Sequence, residues 1–259
     1  MAERYPFANS PSDEGTRLRL LEAIADPRSI RLLGDLGIEP GWRCAELGAG
    51  GGSMAAWLAD RVGHDGSVVA VDRDVTLLRR LDERSNIEIV EASLEDLDLS
   101  PGSFDLVHTR NVLMHIDDAD RIVAGLVQAL RPGAVLLVEE ADYFPLAAMT
   151  SPALLAVAGA LVAGWTWART LPTTISRLPV TDIAVTVDAS MLQGGSPEAA
   201  FWAYTLRSVR HRLTGPRPAR VGEGPSVSEE TFDEAMRLLA DDSFWTPMAA
   251  VVCVSCRRR

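Results

Sequence analysis

Lysine is absent from this chain: all 25 basic residues among its 259 are arginine. That excludes Schiff-base chemistry and any P-loop lysine. Cysteine is nearly as scarce. Cys44, Cys253 and Cys256 are too few for a disulfide framework. Cys44 and Cys253 fall in apolar, strand-like runs and read as small core residues. Cys253 and Cys256 have the spacing of half a zinc site, but no second Cys or His pair completes it, so no metal is expected. Positive charge is also in deficit. The net charge is −11, and a field of that sign repels phosphates and argues against a nucleic-acid partner. Arg257-Arg258-Arg259 reads as a solvated, frayed tail. Met1–Pro6 carries no apolar stretch of the secretory kind, which favours a cytoplasmic setting. The one long uncharged run, Phe144–Ala168, has the length of a membrane span. Thr150, Ser151 and Pro152 interrupt it, and it lacks a one-sided basic flank. It reads as a buried helix, either capping a crevice or packing on a second copy in a homodimer.

What is present alternates. Hydrophobic residues make up 47% and charged residues 24%, the balance of a globular α/β chain. Residues 14–36 carry helical spacing, broken near Asp26-Pro27. Short apolar runs at Arg43–Leu47, Ser67–Asp72, Ile87–Val90, Phe104–Thr109 and Ala134–Glu139 read as core strands, with helical patterns between them. Such runs predict a parallel sheet covered on both faces, and right-handed crossovers make it doubly wound. Ile183–Val187 and Ala249–Val254 read as two late strands. Glu198–Arg212 and Ser228–Ala240 read as helices, the second N-capped by Ser228. The expected organisation is one domain over 1–259. It comprises a helical segment at 1–36, a ligand-binding core at 37–142, a helical cap at 143–180 and the rest of the sheet at 181–259.

The stretch Cys44-Ala45-Glu46-Leu47-Gly48-Ala49-Gly50-Gly51-Gly52 carries the most chemistry. Its glycines let backbone turn sharply and approach a ligand where a Cβ would collide. A helix beginning at Ser53 then presents free N–H groups. Ligands of doubly wound sheets sit beyond the carboxyl ends of the strands. Here those ends carry the glycine loop, Asp72, and Thr109-Arg110-Asn111. Blander readings use the same residues: a tight turn for the glycines, and a helix N-cap near Val75 for Asp72.

Four motifs in order carry a resemblance. Glu46-Leu47-Gly48-Ala49-Gly50-Gly51-Gly52, Val69-Ala70-Val71-Asp72, Phe104-Asp105-Leu106-Val107 with Asn111–Ile116, and Leu130–Glu139 together resemble class I (Rossmann-like) S-adenosylmethionine-dependent methyltransferases of the UbiE/small-molecule type. The resemblance implies a seven-stranded sheet, mostly parallel, closed by a C-terminal antiparallel hairpin, with a helical cap after strand five. It implies S-adenosyl-L-methionine as cofactor. Gly48, Ala49, Gly50 and Gly52 would lie along its methionine and ribose, and Glu46 would hold the loop and the amino end. Asp72 would accept from the ribose hydroxyls, and Arg73 would lie over the adenine. Ser93 and Leu94 would meet the adenine edge; relatives often place an Asp where Ser93 stands. Arg110 and Asn111 would flank the sulfonium. His115 would either act as a base towards the acceptor or pack as a half-buried histidine. Asp117, Asp118 and Asp120 read as a helix start. Tyr5, Trp165, Arg169 and Trp202 would line a site for a small, partly hydrophobic acceptor.

Two other functions share these features. A nicotinamide-dependent oxidoreductase would use a similar glycine turn, but favours an apolar residue at Glu46 and a parallel second half. A cofactor-binding non-transferase on the same fold would need no catalytic acid or base.

Overall fold

A computed structural model of the protein describes residues 11–215 and 224–259. Five strands pair in parallel in the order the crossover rule requires. These are β1 (Arg43–Leu47), β2 (Ser67–Asp72), β3 (Ile87–Glu91), β4 (Phe104–Arg110) and β5 (Leu130–Asp142). With β6 (Val180–Gln193) and β7 (Trp245–Arg258) they form a seven-stranded sheet of order β3-β2-β1-β4-β5-β7-β6. The sheet is mostly parallel, with antiparallel C-terminal strands. The helices are α1 (Pro11–Asp35), α2 (Ser53–Val62), α3 (Ala119–Ala129), α4 (Pro152–Val162), α5 (Leu171–Ser176), α6 (Pro197–Ser208), α7 (Arg210–Thr214) and α8 (Glu229–Ala240).

The chain divides into two compact units, and the expected cap at 143–180 is split between them after Trp167. The first unit takes 25–140, 168–187 and 252–259. Its core sets Met54, Ala55, Leu58, Ala59 and Val62 of α2 among Cys44, Val68, Ala70, Leu106, Val135 and Leu137 of the sheet. The spacing of those α2 residues gives one apolar stripe, which is why this segment is a helix lying on strands. α3 buries Ile122, Val123, Leu126 and Val127, and Asp118 caps it by accepting from the Arg121 N–H.

The second unit takes the remaining segments. Its core is apolar and helical, with Leu154, Val157, Leu206, Phe232, Leu239 and Met248 buried together. Three serines start its helices: Ser151, Ser196 and Ser228 accept from the N–H groups of Leu154, Ala199 and Thr231. Gly194 is obligatory, because a Cβ there would lie 2.1 Å from the Asp241 carbonyl oxygen. Among the described residues no single helix is long and apolar enough to cross a membrane.

Four local expectations need correction. α1 runs unbroken through Pro27. The ring costs the helix one N–H bond, and Asp26, Arg28 and Ser29 around it make the tertiary bonds described below. The segment expected as one helix at 198–212 divides at Val209 into α6 and α7. β5, β6 and β7 extend well past their apolar cores, because ladder pairing carries polar residues along with it. The C-terminal arginines are not a frayed tail: β7 reaches Arg258. Arg257 donates to the Gly133 carbonyl, Arg258 to those of Gln128 and Leu130, and Arg259 to that of Val180.

Candidate active site

The glycine loop leaves β1 with Gly48, Gly50 and Gly52 at φ of 70°, 53° and 85°, a region that disfavours side chains. Gly48 has a second constraint. A Cβ there would stand 2.1 Å from Cγ2 of Val112, so the loop lies directly against the turn after β4. The N–H groups of Gly48 and Ala49 both donate to the Val71 carbonyl at the end of β2. The Gly50 N–H donates to Asp72 Oδ2 at 2.8 Å, and the Asp74 N–H donates to Asp72 Oδ1 at 3.1 Å. Burial raises the proton affinity of Asp72, against the pull of those N–H bonds. Arg80 Nε holds the outer side of the loop at the Gly51 carbonyl, 2.9 Å away.

The neighbouring strand ends converge on the same region. The Ala92 N–H donates to the Asp72 carbonyl, which sets the turn bearing Ser93 and Leu94 beside Asp72. Ser93 Oγ accepts from the Glu95 N–H, and Leu94 is buried. Asn111 follows β4 at φ 56° and donates its N–H to the Glu139 carbonyl. Arg73 is exposed. The structure therefore brings Gly48, Ala49, Gly50, Gly52, Asp72, Ser93, Leu94, Arg110 and Asn111 to the carboxyl ends of four adjacent parallel strands.

Beneath this rim lies a cluster of charges in the sheet interior. His108 has no exposure; its Nδ1 is 2.6 Å from Glu46 Oε2 and its Nε2 is 3.0 Å from Glu139 Oε1. Arg28 Nε donates to Glu139 Oε2 at 2.9 Å. Arg110 donates from Nη1 to Ser29 Oγ and from Nη2 to Asp26 Oδ1, both at 2.8 Å. Asp26 Oδ1 also accepts from Ser53 Oγ, the first residue of α2. Burial pulls His108 towards the neutral form, but the charge of Glu46 and the bonds to both carboxylates outweigh it and push its pKa up to about 9. Burial likewise works against the Glu139 carboxylate, and the His108 bond and charge, with help from Ser29 and Arg28, hold it down at about 2.

On the other face, fully buried Glu140 accepts the N–H groups of Val112, Leu113 and Met114. Burial pushes Glu140 up to about 7 against those three bonds. It thereby fixes the turn that presses on Gly48 and carries half-buried His115.

Residues 45–138 match the family model of a methyltransferase domain. The matched stretch holds the glycine loop, Asp72, His108 and Asn111, and is similar to methyltransferase domains. An uncharacterised 37.1 kDa protein in transposon TN4556 of Streptomyces fradiae is 32% identical over 143 residues, 53% of this chain and 41% of that protein. The 2-phytyl-1,4-naphtoquinone methyltransferase of a Nostoc species is 34% identical over 105 residues, covering 38% of this chain and 46% of the relative. Phosphoethanolamine N-methyltransferase 2 of Haemonchus contortus, solved with S-adenosyl-L-methionine, shares the fold with a TM-score of 0.62 at 16% identity, covering 100% of this chain and 60% of that one. The chain spans less than half the length of the curated relatives named here.

Against this methyltransferase frame, the expected site residues sort into three groups. The loop and strand-end residues stand together. Arg110 and Glu46 stand with them, but their side chains are engaged by Asp26, Ser29 and His108 rather than facing outward. The expected acceptor residues are dispersed. Trp165 is half-buried in the second unit, 6.0 Å ring to ring from Tyr143. Trp202 is 7% exposed and packs edge-on to Tyr143 and Phe201, as a core residue does. Arg169 is an exposed residue of the first unit, and Tyr5 lies outside the described residues. Sequence reasoning missed His108, Glu139, Glu140, Arg28 and Asp26 as site residues. The available signal was a charged residue inside an apolar strand, which demands a partner.

Proposed function

We propose that this chain transfers a methyl group from S-adenosylmethionine to a small, partly hydrophobic acceptor. The observation that carries the reading is the seat between Gly48 and Asp72: bare backbone pressed against Val112, with a half-buried carboxylate bonded to the same loop. The cofactor fits these residues, since Gly48 admits nothing beyond hydrogen on its own backbone and Asp72 is an acceptor suited to vicinal hydroxyls. When bound, it supplies a methyl on an already activated sulfonium. The protein's part is alignment and exclusion of water. Gly48, Ala49, Gly50 and Gly52 cradle, Asp72 holds the ribose, and Arg73, Ser93 and Leu94 take the adenine. Asn111 and the Arg110 backbone border the reacting end. His115 accepts a proton from an acceptor that must lose one. The Nostoc relative is named for a phytyl-bearing naphthoquinone, which supports an acceptor with an apolar portion.

A nicotinamide enzyme is disfavoured by the sheet, whose second half departs from the parallel order 3-2-1-4-5-6 of dinucleotide-binding folds. The test has two parts. S-adenosylhomocysteine should raise the thermal midpoint and NAD should not. Labelled S-adenosylmethionine should then pass its methyl to quinone or phenolic acceptors. Protection by NAD alone would overturn the cofactor, and binding without turnover on any acceptor would leave a cofactor-holding protein in place of an enzyme.

A further inference from the structure

The position of His108 is the least expected feature of the first unit. Both ring nitrogens face carboxylate oxygens, Glu46 Oε2 at 2.6 Å and Glu139 Oε1 at 3.0 Å. A neutral imidazole has one donor and one acceptor nitrogen, so one of these contacts would set lone pair against lone pair. Two protons are therefore needed along the Glu46–His108–Glu139 line. Basicity says where the second belongs: imidazole is a stronger base than a carboxylate, and Arg28 beside Glu139 favours that carboxylate's charged form. The groups around the imidazole are Glu46 from β1, Glu139 from β5 and, through Glu139, Arg28 from α1. Arg110 of β4 is paired separately with Asp26 of α1, and the Cys253 thiol of β7 lies 3.8 Å from Glu139. With an imidazolium, Glu46, Glu139, Arg28 and His108 sum to zero. A neutral ring would leave either a buried net negative charge, at a cost of several kcal/mol, or the proton on a carboxylate, a weaker base than imidazole.

We propose that His108 is a positioning residue protonated at neutral pH: as an imidazolium it fixes the Glu46 carboxylate under the glycine loop and, through Glu139 and Arg28, ties α1 to the ligand-binding end of the sheet. Its consequence for the cofactor rests on the function proposed above. Glu46 sits two residues before Gly48, so a carboxylate free to rotate or repel Glu139 would disturb the loop from below.

The first test reads the charge directly, without any ligand. In the wild-type protein labelled with ¹⁵N-histidine, the signals lost in His108→Gln are those of His108. They should show two protonated nitrogens at pH 7.5 and keep them beyond pH 8. Glu46→Gln should lower the pH of that deprotonation by more than one unit. A single-proton tautomer at pH 7.5, or no response to Glu46→Gln, would overturn the proposal; if His108→Gln fails to fold, replacing His64, His115 and His211 by Gln leaves His108 as the one histidine signal.

The second test separates positioning from mere packing. His108→Gln should weaken S-adenosylhomocysteine binding tenfold or more, and in a Glu46→Gln background the further loss should be under threefold. Equal losses in both backgrounds, or lowered thermal stability with unchanged affinity, would reject the positioning role. If wild type itself fails to bind S-adenosylhomocysteine, the cofactor reading fails, while the ¹⁵N spectra still decide the charge of His108.

Discussion

In the first unit Glu46, His108, Glu139 and Glu140 lie almost wholly out of water, whereas the second is built on Leu154, Val157, Leu206, Phe232 and Leu239. The two kinds of core are stabilised differently. Apolar burial contributes about 25 cal/mol per Å² and tolerates rearrangement. Buried charge costs several kcal/mol per ion unless each partner is in place, so its presence marks positions where geometry matters more than stability. Every charge of the first core lies at or near the carboxyl ends of β1, β4 and β5, the end that carries the glycine loop. The second unit also buries Arg17, paired with Glu14, and Asp142, but its main core cluster is made of apolar side chains. Fixed chemistry and simple support are thus divided between the units.

The largest effect should come from Glu139→Ala. It leaves His108 and Arg28 without their shared partner and should lower unfolding free energy by about 3–5 kcal/mol, together with a loss of S-adenosylhomocysteine affinity. Denaturant titration and calorimetry read the two. Leu154→Ala in the second unit should cost about 2–5 kcal/mol yet leave that affinity within about twofold, since Leu154 is buried in an apolar cluster of its own unit. An equal loss of affinity would erase the division.

The pH dependence separates the three titrating groups of the first unit. His108, raised to about 9, stabilises fully below its ordinary value of 6.5, and that contribution fades as pH climbs through 9. Glu139, held near 2, contributes above 4.5 and loses its effect as pH falls from 4.5 through 2. Glu140, raised to about 7, favours folding below 4.5 and ceases to do so between 4.5 and 7. The alkaline limb is on the order of 3 kcal/mol. His108→Gln should flatten it, and Glu140→Gln should flatten the fall between pH 4.5 and 7, both followed by urea midpoints. Gly48→Ala should cost about 1–2 kcal/mol from its backbone conformation alone, with added strain against Val112 and weaker cofactor binding. The smallest change belongs to Ser228→Ala, a lost helix cap worth about 1 kcal/mol with no effect on binding.

Much of this was legible in the residues themselves. The five parallel strands follow from apolar runs of the right length, and the loop from its glycines. Asp72 is marked by its place at the end of Val69-Ala70-Val71. Short-range signals of this kind survive in a single sequence. The Asp26–Arg110 and Arg28–Glu139 pairs do not, because they join residues 84 and 111 positions apart, and only the finished sheet brings them together. Pro27 misled for a related reason: local propensity argues for a break, while tertiary bonds from Asp26, Arg28 and Ser29 hold the helix through it. The C-terminal arginines were misread because their carbonyl partners lie at the end of α3 and the start of β5 and β6, out of reach of any local pattern.

Isothermal titration of S-adenosylhomocysteine into the wild-type protein and into Asp72→Ala bears most directly on the claim that the Gly48–Asp72 seat holds an adenosyl group. One-to-one binding by the wild type, weakened at least tenfold in the variant while its fold is retained, is the predicted result. Equal affinity in the two proteins, or no heat in either, would contradict it.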